Sequence, residues 1–185
     1  MPNEDDSTPR ISRALEFFTP SKDGSPQLKC LMAPSLGYKV LTPADFLHDG
    51  ELGETVLWSQ HNTDGMPTGA MIYVHWVWLP SVPVEVQYEA NLQQVVKDTE
   101  SSRPQYRDVR IVDSTQGYAW DGPAFWFKEV DKAAPDEIHR WHLKAFGNES
   151  QYIVGLTGDF EQFEELGALY EEVIRSFERI PLPMK

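Results

Sequence analysis

The sequence predicts an α+β protein built on a central antiparallel β-sheet with helices on both faces, an α/β/α sandwich. Three observations support this class. Short strand-like segments follow one another through tight turns, residues 71–79 are apolar on both faces of a strand, and residues 84–100 and 159–179 are amphipathic at helical spacing. A strand that is apolar on both faces belongs inside a sheet that is covered on each side.

The composition predicts one domain with unstructured ends. The chain has 185 residues, of which 41% are hydrophobic, so it can bury one sizeable core, whereas two domains would both be small. Residues 1–10 combine Pro, Ser, Thr and acids without apolar periodicity. We therefore expect a disordered tail at 1–10, a single domain over 11–180 and a short C-terminal tail at 181–185.

Short strands begin the ordered part. LKCLMAP (28–34) and GYKVL (37–41) predict two strands, because both are apolar and a stretch with Pro and Gly separates them. The acidic stretch DFLHDGELGE, from Asp45 to Glu54, predicts a loop. After it, ETVLWSQHN, the turn TDGMPTG and AMIYVHWVWL predict a hairpin with a long second strand.

The long second strand separates its side chains into two apolar sets, because successive residues of a strand point to opposite faces. One set comprises Ile72, Val74, Trp76 and Trp78, and the other comprises Met71, Tyr73, Val77 and Leu79. His75 lies in this strand. A lone histidine among apolar residues is typical of a hydrogen-bonded core residue, so we interpret His75 in that way.

A helix and two hairpins follow a proline-rich break. Apolar residues recur at helical spacing over 84–100 and predict the first long helix. The segments RDVRIVDSTQGYAW and PAFWFKEV are predicted to join through Asp121-Gly122, a turn dipeptide. IHRWHLKAF and QYIVGLTG predict another hairpin, with its turn at residues 147–150.

The chain closes with a predicted helix over 159–179. Asp159 is the expected N-cap, and Gln162 stands three residues later, at the spacing of a capping box. Its apolar face recurs at three- and four-residue steps and comprises Phe160, Phe163, Leu166, Leu169, Tyr170, Val173, Ile174 and Phe177. Arg179 is expected in the last turn, where it complements the helix dipole, and Pro181 prevents continuation.

This order of elements resembles the PsbP-like family over residues 28–180. The resemblance rests on motifs at turns and strand ends, namely Pro34, Gly37 and Tyr38 in P-x-x-G-Y, a strand entering a helix near Val84, the turn Gly122-Pro123, and the ending YIVGLTG with its helix. The family includes an extrinsic photosystem subunit, a Ran-binding nuclear protein and small bacterial proteins. The resemblance implies the fold and a mostly non-catalytic role in binding other proteins, including chaperones that bind apolar segments of secreted toxins. No functional residue transfers by position.

The charge balance disfavours several partners. Acidic residues outnumber Lys and Arg 29 to 16, which gives a formal net charge of -13. Nucleic acids and anionic membranes bind through Lys and Arg, so neither is expected, and a basic partner fits better. The single cysteine, Cys30, excludes an internal disulfide, and no stretch reaches the about 18 apolar residues of a membrane helix. MPNEDDSTPR lacks an apolar signal segment, so we expect a soluble, cytoplasmic protein.

The sequence contains no recognised catalytic motif: G-x-S-x-G, H-E-x-x-H and the P-loop are absent. We therefore expect a non-catalytic protein-binding or chaperone-like accessory module of a bacterial-type cytoplasmic protein, without a cofactor. Its expected partner is another protein, with a secreted effector and a basic protein as candidates, and a homodimer stays open. The alternative is a small-ligand or metal-binding protein with its site at residues 45–64. One form of this hypothesis is a hydrolytic enzyme.

Two groups of residues suggest metal binding. Hard ligands for calcium or magnesium occur in the acidic stretch, at Asp45, His48, Asp49 and Glu51. Their spacing is not that of an EF-hand, which favours a solvated acidic loop. His139 and His142 suggest zinc, but odd and even positions of a strand face opposite sides, so the two rings cannot readily share one ion. No metal site is predicted.

The candidate binding site is the basic row, which we define as Arg140, His142 and Lys144 on one face of a predicted strand. The opposite face carries His139, Trp141, Leu143 and Ala145. Three basic groups together are unusual in so acidic a chain, and they predict contact with an anionic ligand or an acidic partner segment. His142 would make this contact depend on pH near its reference pKa of about 6.5. The alternative is that the row only pairs with acids on a neighbouring strand or helix.

Overall fold

The computed structural model describes residues 15–19, 28–34, 36–52, 55–79, 81–100, 106–112, 114–130, 139–147 and 149–181. The predicted tail at 1–10 and the last four residues of the chain lie outside these ranges. The single domain over 11–180 therefore stays a prediction. Within the described ranges, runs of consecutive strands are separated by a few helices, as is typical of an α+β chain.

The elements follow one another in an order close to the predicted one. The strands are β1 (Leu15–Thr19), β2 (Leu28–Ala33), β3 (Tyr38–Pro43), β4 (Phe46–Leu52), β5 (Thr55–His61), β6 (Pro67–Trp78), β7 (Tyr106–Ile111), β8 (Ala124–Val130), β9 (His139–Gly147), β10 (Ser150–Gly158) and β11 (Glu178–Arg179). The helices are α1 (Val84–Glu100), α2 (Phe160–Glu165) and α3 (Gly167–Ser176), with a short 3-10 turn at Ser114–Gln116.

The strands form a large and a small antiparallel sheet. The seven-stranded sheet has the order β4-β5-β6-β10-β9-β8-β7, and the four-stranded sheet has the order β1-β2-β3-β11. Strand β10 lies at the centre of the large sheet, paired with β6 on one side and β9 on the other. The predicted mixed class with a large antiparallel sheet is confirmed.

The two faces of the large sheet pack against different elements. On β8, Phe125 and Phe127 join a cluster with the apolar residues of α1, whereas Ala124 and Trp126 point into the main core. That core also contains apolar residues of β2, β3 and α3. The predicted sandwich with helices on both faces is not confirmed, because strands of the small sheet share the second face with α3.

Residues 46–52 of the acidic stretch form strand β4 rather than the predicted loop. Strand β4 pairs with β5 over most of this stretch, with a register shift between His48 and Gly50. Phe46 is fully buried, while Leu47, His48 and Asp49 are exposed. The prediction was wrong because β4 is an edge strand, and an edge strand tolerates and even favours charged residues on its open side.

The segment between β7 and β8 is longer than the predicted Asp121-Gly122 turn. Strand β7 ends at Ile111 and β8 begins at Ala124. In between, Tyr118 and Trp120 turn into the core, and Trp126 Nε1 donates a hydrogen bond of 2.6 Å to Tyr118 Oη. Burial of two large aromatic rings thus overrides the local turn signal.

The closing helix is interrupted, which corrects the prediction of one helix over 159–179. The capping box is confirmed: Asp159 Oδ1 accepts from Gln162 N at 2.9 Å, and Gln162 Oε1 accepts from Asp159 N at 3.1 Å. The helix breaks at Leu166, before Gly167, a residue type with low helix propensity. It ends before Arg179, which lies in β11 and pairs with Asp121 at 3.0 Å instead of ending a helix.

Candidate functional site

A cavity of about 470 Å³ opens on the α1 side of the large sheet. Helix α1 packs over β7 and β9, and the cavity lies between the last turns of α1 and the strands β5, β6, β8, β9 and β10. We call it the α1-side groove, lined by Thr55, Tyr73, His75, Gln94, Val95, Asp98, Phe127, Glu129, His142, Lys144 and Ile153. Two members of the basic row, His142 and Lys144, therefore lie in a concave site.

Gly155 determines the floor of the groove. It lies opposite Tyr73 on one neighbouring strand and opposite His142 on the other. A Cβ atom at position 155 would lie 1.9 Å from Tyr73 Cζ, so only glycine leaves room for the ring to cross the central strand. The Tyr73 hydroxyl thereby reaches His142 Nε2, 2.7 Å away. The pair links two strands that are not neighbours.

Tyr73 and His142 are both uncharged at neutral pH. Burial, followed by the positive charges of Lys144 and Arg140, lowers the pKa of His142 to about 4. Burial also raises the pKa of Tyr73, with opposing smaller effects from Arg140 and Glu129. This corrects the expectation that His142 titrates near its reference pKa. The ring enters the groove as a neutral hydrogen-bonding group.

Lys144 is the partly buried cation of the groove. Its Nζ donates to Asn91 Oδ1 at 3.1 Å and lies 6.0 Å from the centre of the Phe127 ring. Burial lowers the pKa of Lys144, whereas the carboxylate of Asp98 raises it. The side chain thus spans from the sheet to α1 and presents its charge inside the groove.

Arg140 differs from the other two residues of the basic row because it is exposed. Its partner in the strand register is Glu129, which also lines the groove. The predicted alternative, in which the row pairs with acids, therefore has candidates on the neighbouring strand and, through Asp98, on α1. The three residues share one face as predicted, but their role as a binding site stays a prediction.

Several groove residues were not identified from the sequence. Tyr73 belongs to a predicted apolar face, and no role is predicted for Gly155, although a glycine within an apolar strand indicates a close approach. His75 was expected to be hydrogen-bonded, and its Nδ1 does lie 2.7 Å from Thr55 Oγ1. It also lines the groove, which the sequence did not indicate.

The described residues of the alternative site at 45–64 do not form a cluster of metal ligands. Among the described residues, no group of three or more His, Cys, Asp or Glu side chains could bind a metal ion. The acids of this stretch contact β5 instead: Asp49 accepts a hydrogen bond from Ser59, and Asp45 accepts one from Gln60 at 2.9 Å.

The two histidines of β9 lie on opposite faces, as predicted. His139 is buried in contact with Phe163, with the two ring centres 6.2 Å apart. His142 lines the groove on the other face of the sheet. One zinc ion cannot bind both.

No family model matches the chain, and the search of curated proteins also returned no match. Solved structures of similar fold include cyanobacterial PsbP (CyanoP) from Synechocystis sp. PCC 6803, with a TM-score of 0.49, 12% identity, and coverage of 87% of this chain and 97% of that one. Another is the Saccharomyces cerevisiae Ran-binding protein Mog1p, with a TM-score of 0.49, 11% identity, and coverage of 84% of this chain and 97% of that one. The chain is thus similar to proteins of the PsbP-like fold, which its sequence resembles, and the likeness concerns the fold alone.

Of the described helices, none is both long enough and apolar enough to cross a membrane.

Proposed function

We propose that the chain is a non-catalytic, chaperone-like binding module that receives a segment of another protein in the α1-side groove. The observation that supports this most strongly is that the basic row predicted from sequence meets the cavity: His142 and Lys144 line it, and Arg140 is exposed on the same strand face. Clefts that combine apolar walls with a few polar groups are the usual form of a binding site.

The groove offers both kinds of contact that a peptide segment needs. Phe127, Val95 and Ile153 supply apolar surface, while Lys144 and Tyr73 supply polar groups. Arg140 is well placed to attract an acidic segment over a longer distance, because an exposed charge increases the association rate more than the final affinity. A cytoplasmic setting is part of this proposal, supported by a fold whose single cysteine, Cys30, is free.

A pull-down with matched variants tests the proposal. The double variant Arg140→Glu with Lys144→Glu should no longer capture the partner that the wild-type chain retains from its native lysate. The control is Lys39→Glu with Arg110→Glu, which changes the net charge equally at two cations that do not line the groove. Circular dichroism verifies that both variants are folded. Equal capture by all three proteins contradicts the proposal, as does equal loss in the control.

A small-ligand function is the second candidate, and the cavity itself favours it. Its volume of about 470 Å³ lies within the range of about 300 to 1,000 Å³ that is usual for small-molecule sites. The site is then the α1-side groove, of which only Thr55 belongs to the 45–64 stretch. Native mass spectrometry of protein purified without denaturation checks this, because a retained small molecule would appear as a defined mass increase that Gly155→Ala removes.

A further inference from the structure

We propose that the α1-side groove binds a carboxylate of the partner segment, held between the ammonium of Lys144 and Nδ1 of His142. This inference rests on the proposed function and names the chemical group that the groove recognises. The two side chains are two residues apart on one strand face, which places their backbones about 7 Å apart. One carboxylate that accepts a hydrogen bond of about 2.8 Å on each side spans a similar distance.

The ammonium of Lys144 has N–H donors that its hydrogen bond to Asn91 does not use. An ammonium carries three N–H donors. Within the described part of the chain, the hydrogen bond of Lys144 is the one to Asn91 Oδ1, and the same oxygen also accepts from Gln151 Nε2 at 3.4 Å. That partner is a neutral amide, so it does not neutralise the cation. Two N–H groups therefore stay available for a ligand in the groove.

His142 becomes a donor through its bond to Tyr73. When Tyr73 Oη donates to Nε2, the single ring proton of neutral His142 must lie on Nδ1. In the other tautomer, Nε2 donates to Tyr73 and Nδ1 is an acceptor. An anion at Nδ1 selects the first tautomer, because only this one offers it an N–H. For the carboxylate, Tyr73 and Gly155 are thus positioning residues, because they act on this group through the His142 ring.

The acids of the groove favour a carboxylate over a phosphate. Glu129 lies directly opposite Arg140 in the strand register, and cross-strand neighbours of opposite charge attract each other. Asp98 on α1 accepts a hydrogen bond from Gln94 and lies close enough to raise the pKa of Lys144. A singly charged ligand meets less repulsion from Asp98 than a dianion. Asp98 is therefore expected to oppose the ligand, and its removal should strengthen binding.

NMR of the histidine ring nitrogens tests the proposal on the whole chain. Two probes distinguish the source of the carboxylate: propionate as a free acid and an end-capped hexapeptide of glutamates, with sodium chloride at matched ionic strength as the control. We expect the peptide to shift the ring nitrogen signals of His142 in a saturable way. If chloride reproduces the shift, or neither probe produces one, the carboxylate site is overturned.

Charge variants give results of opposite sign. Lys144→Gln, which keeps a donor for Asn91, should weaken peptide binding about tenfold, as expected for a lost charged hydrogen bond. Asp98→Asn should strengthen it by about two- to fivefold, the range of an exposed charge interaction. The control Asp64→Asn, in the exposed β5–β6 turn, should change nothing. Weaker peptide binding in Asp98→Asn would mean that Asp98 supports the site instead of repelling an anion in it, and would overturn the inference.

The outcomes also separate this inference from the proposed function. If propionate binds as tightly as the peptide and the pull-down shows no partner, the carboxylate site stands and the protein-binding function fails. If the groove variants lose the partner but neither probe binds, the function stands and the carboxylate fails.

Discussion

The two faces of the large sheet are built from the same strands yet have different properties. On the core face, alternate residues such as Ile72, Val74 and Leu143 are fully buried and apolar. On the α1 face, their immediate neighbours Tyr73 and His142 are partly buried and hydrogen-bonded to each other beside a cavity. One residue of offset along a strand thus separates a side chain in the main core from a side chain that lines the cavity.

The largest effect is expected on the core face. Phe177 is fully buried and packs against Tyr38 and Trp120, with ring centres 5.5 and 5.4 Å away. Phe177→Ala or Phe163→Ala should reduce the free energy of unfolding by about 3 to 5 kcal/mol, because each leaves a cavity. Urea denaturation measures this. Val86→Ala, at an exposed position of α1, is the control. A loss below about 1 kcal/mol at both phenylalanines would remove the contrast between the faces.

A pH effect is expected from the α1 face. The pKa of His142 is about 4 in the folded chain, below its ordinary value of 6.5, so the unfolded chain binds a proton first as pH falls. Stability contributed by neutral His142 is therefore complete above pH 6.5 and decreases toward about pH 4. The lowered pKa of His142 is due first to burial and then to the charges of Lys144 and Arg140 on β9. Tyr73 on β6, Glu129 on β8 and Asp98 on α1 also line the groove that this ring faces.

The size of this effect follows from linkage. The loss between pH 6.5 and about 4 should be at most about 3 kcal/mol for a group this buried. Urea denaturation of the wild type and of His142→Gln over this pH range measures the loss, and the free energy of unfolding of the variant should depend less steeply on pH. Identical slopes would mean that His142 stays as solvated as in the unfolded chain.

A smaller effect is expected at the floor of the groove. Gly155→Ala places a Cβ against the Tyr73 ring, so it should cost about 1 to 3 kcal/mol and break the bond to His142. In a Tyr73→Ala background, the same substitution should cost much less, because the ring that it strikes is gone. Urea denaturation of the wild type, the two single variants and the double variant gives the free energy of coupling between positions 73 and 155. Additive losses would show that Gly155 and Tyr73 act independently.

The smallest effect is expected at the exposed end of the basic row. Arg140→Glu should change stability by less than about 0.5 kcal/mol, because exposed strand positions contribute little. The same variant should weaken capture of the partner, and more so at low salt, where charges act over longer distances. A large loss of stability would mean that Arg140 acts mainly by pairing with Glu129.

The fold was largely predictable because its signals are local. The segment 71–79, apolar on both faces, predicted β6, the capping residues Asp159 and Gln162 predicted the start of α2, and the stripe over 84–100 predicted α1. The errors occurred where tertiary contacts outweighed local signals. Strand β4 exists because β5 offers it an edge, and the segment before β8 is long because Tyr118 and Trp120 are buried.

For the candidate site, the sequence by itself determined which residues share a face, since the period of a strand places Arg140, His142 and Lys144 on one side. It did not determine what lies beside them. The bond from Tyr73 to His142 joins residues 69 positions apart, across a central strand that happens to carry Gly155. Only the pairing order of β6, β10 and β9 brings these three residues together. The sequence could not predict this order, because the order of strands in a sheet depends on long-range packing, which no local sequence pattern encodes. The burial that lowers the pKa of His142 has the same origin.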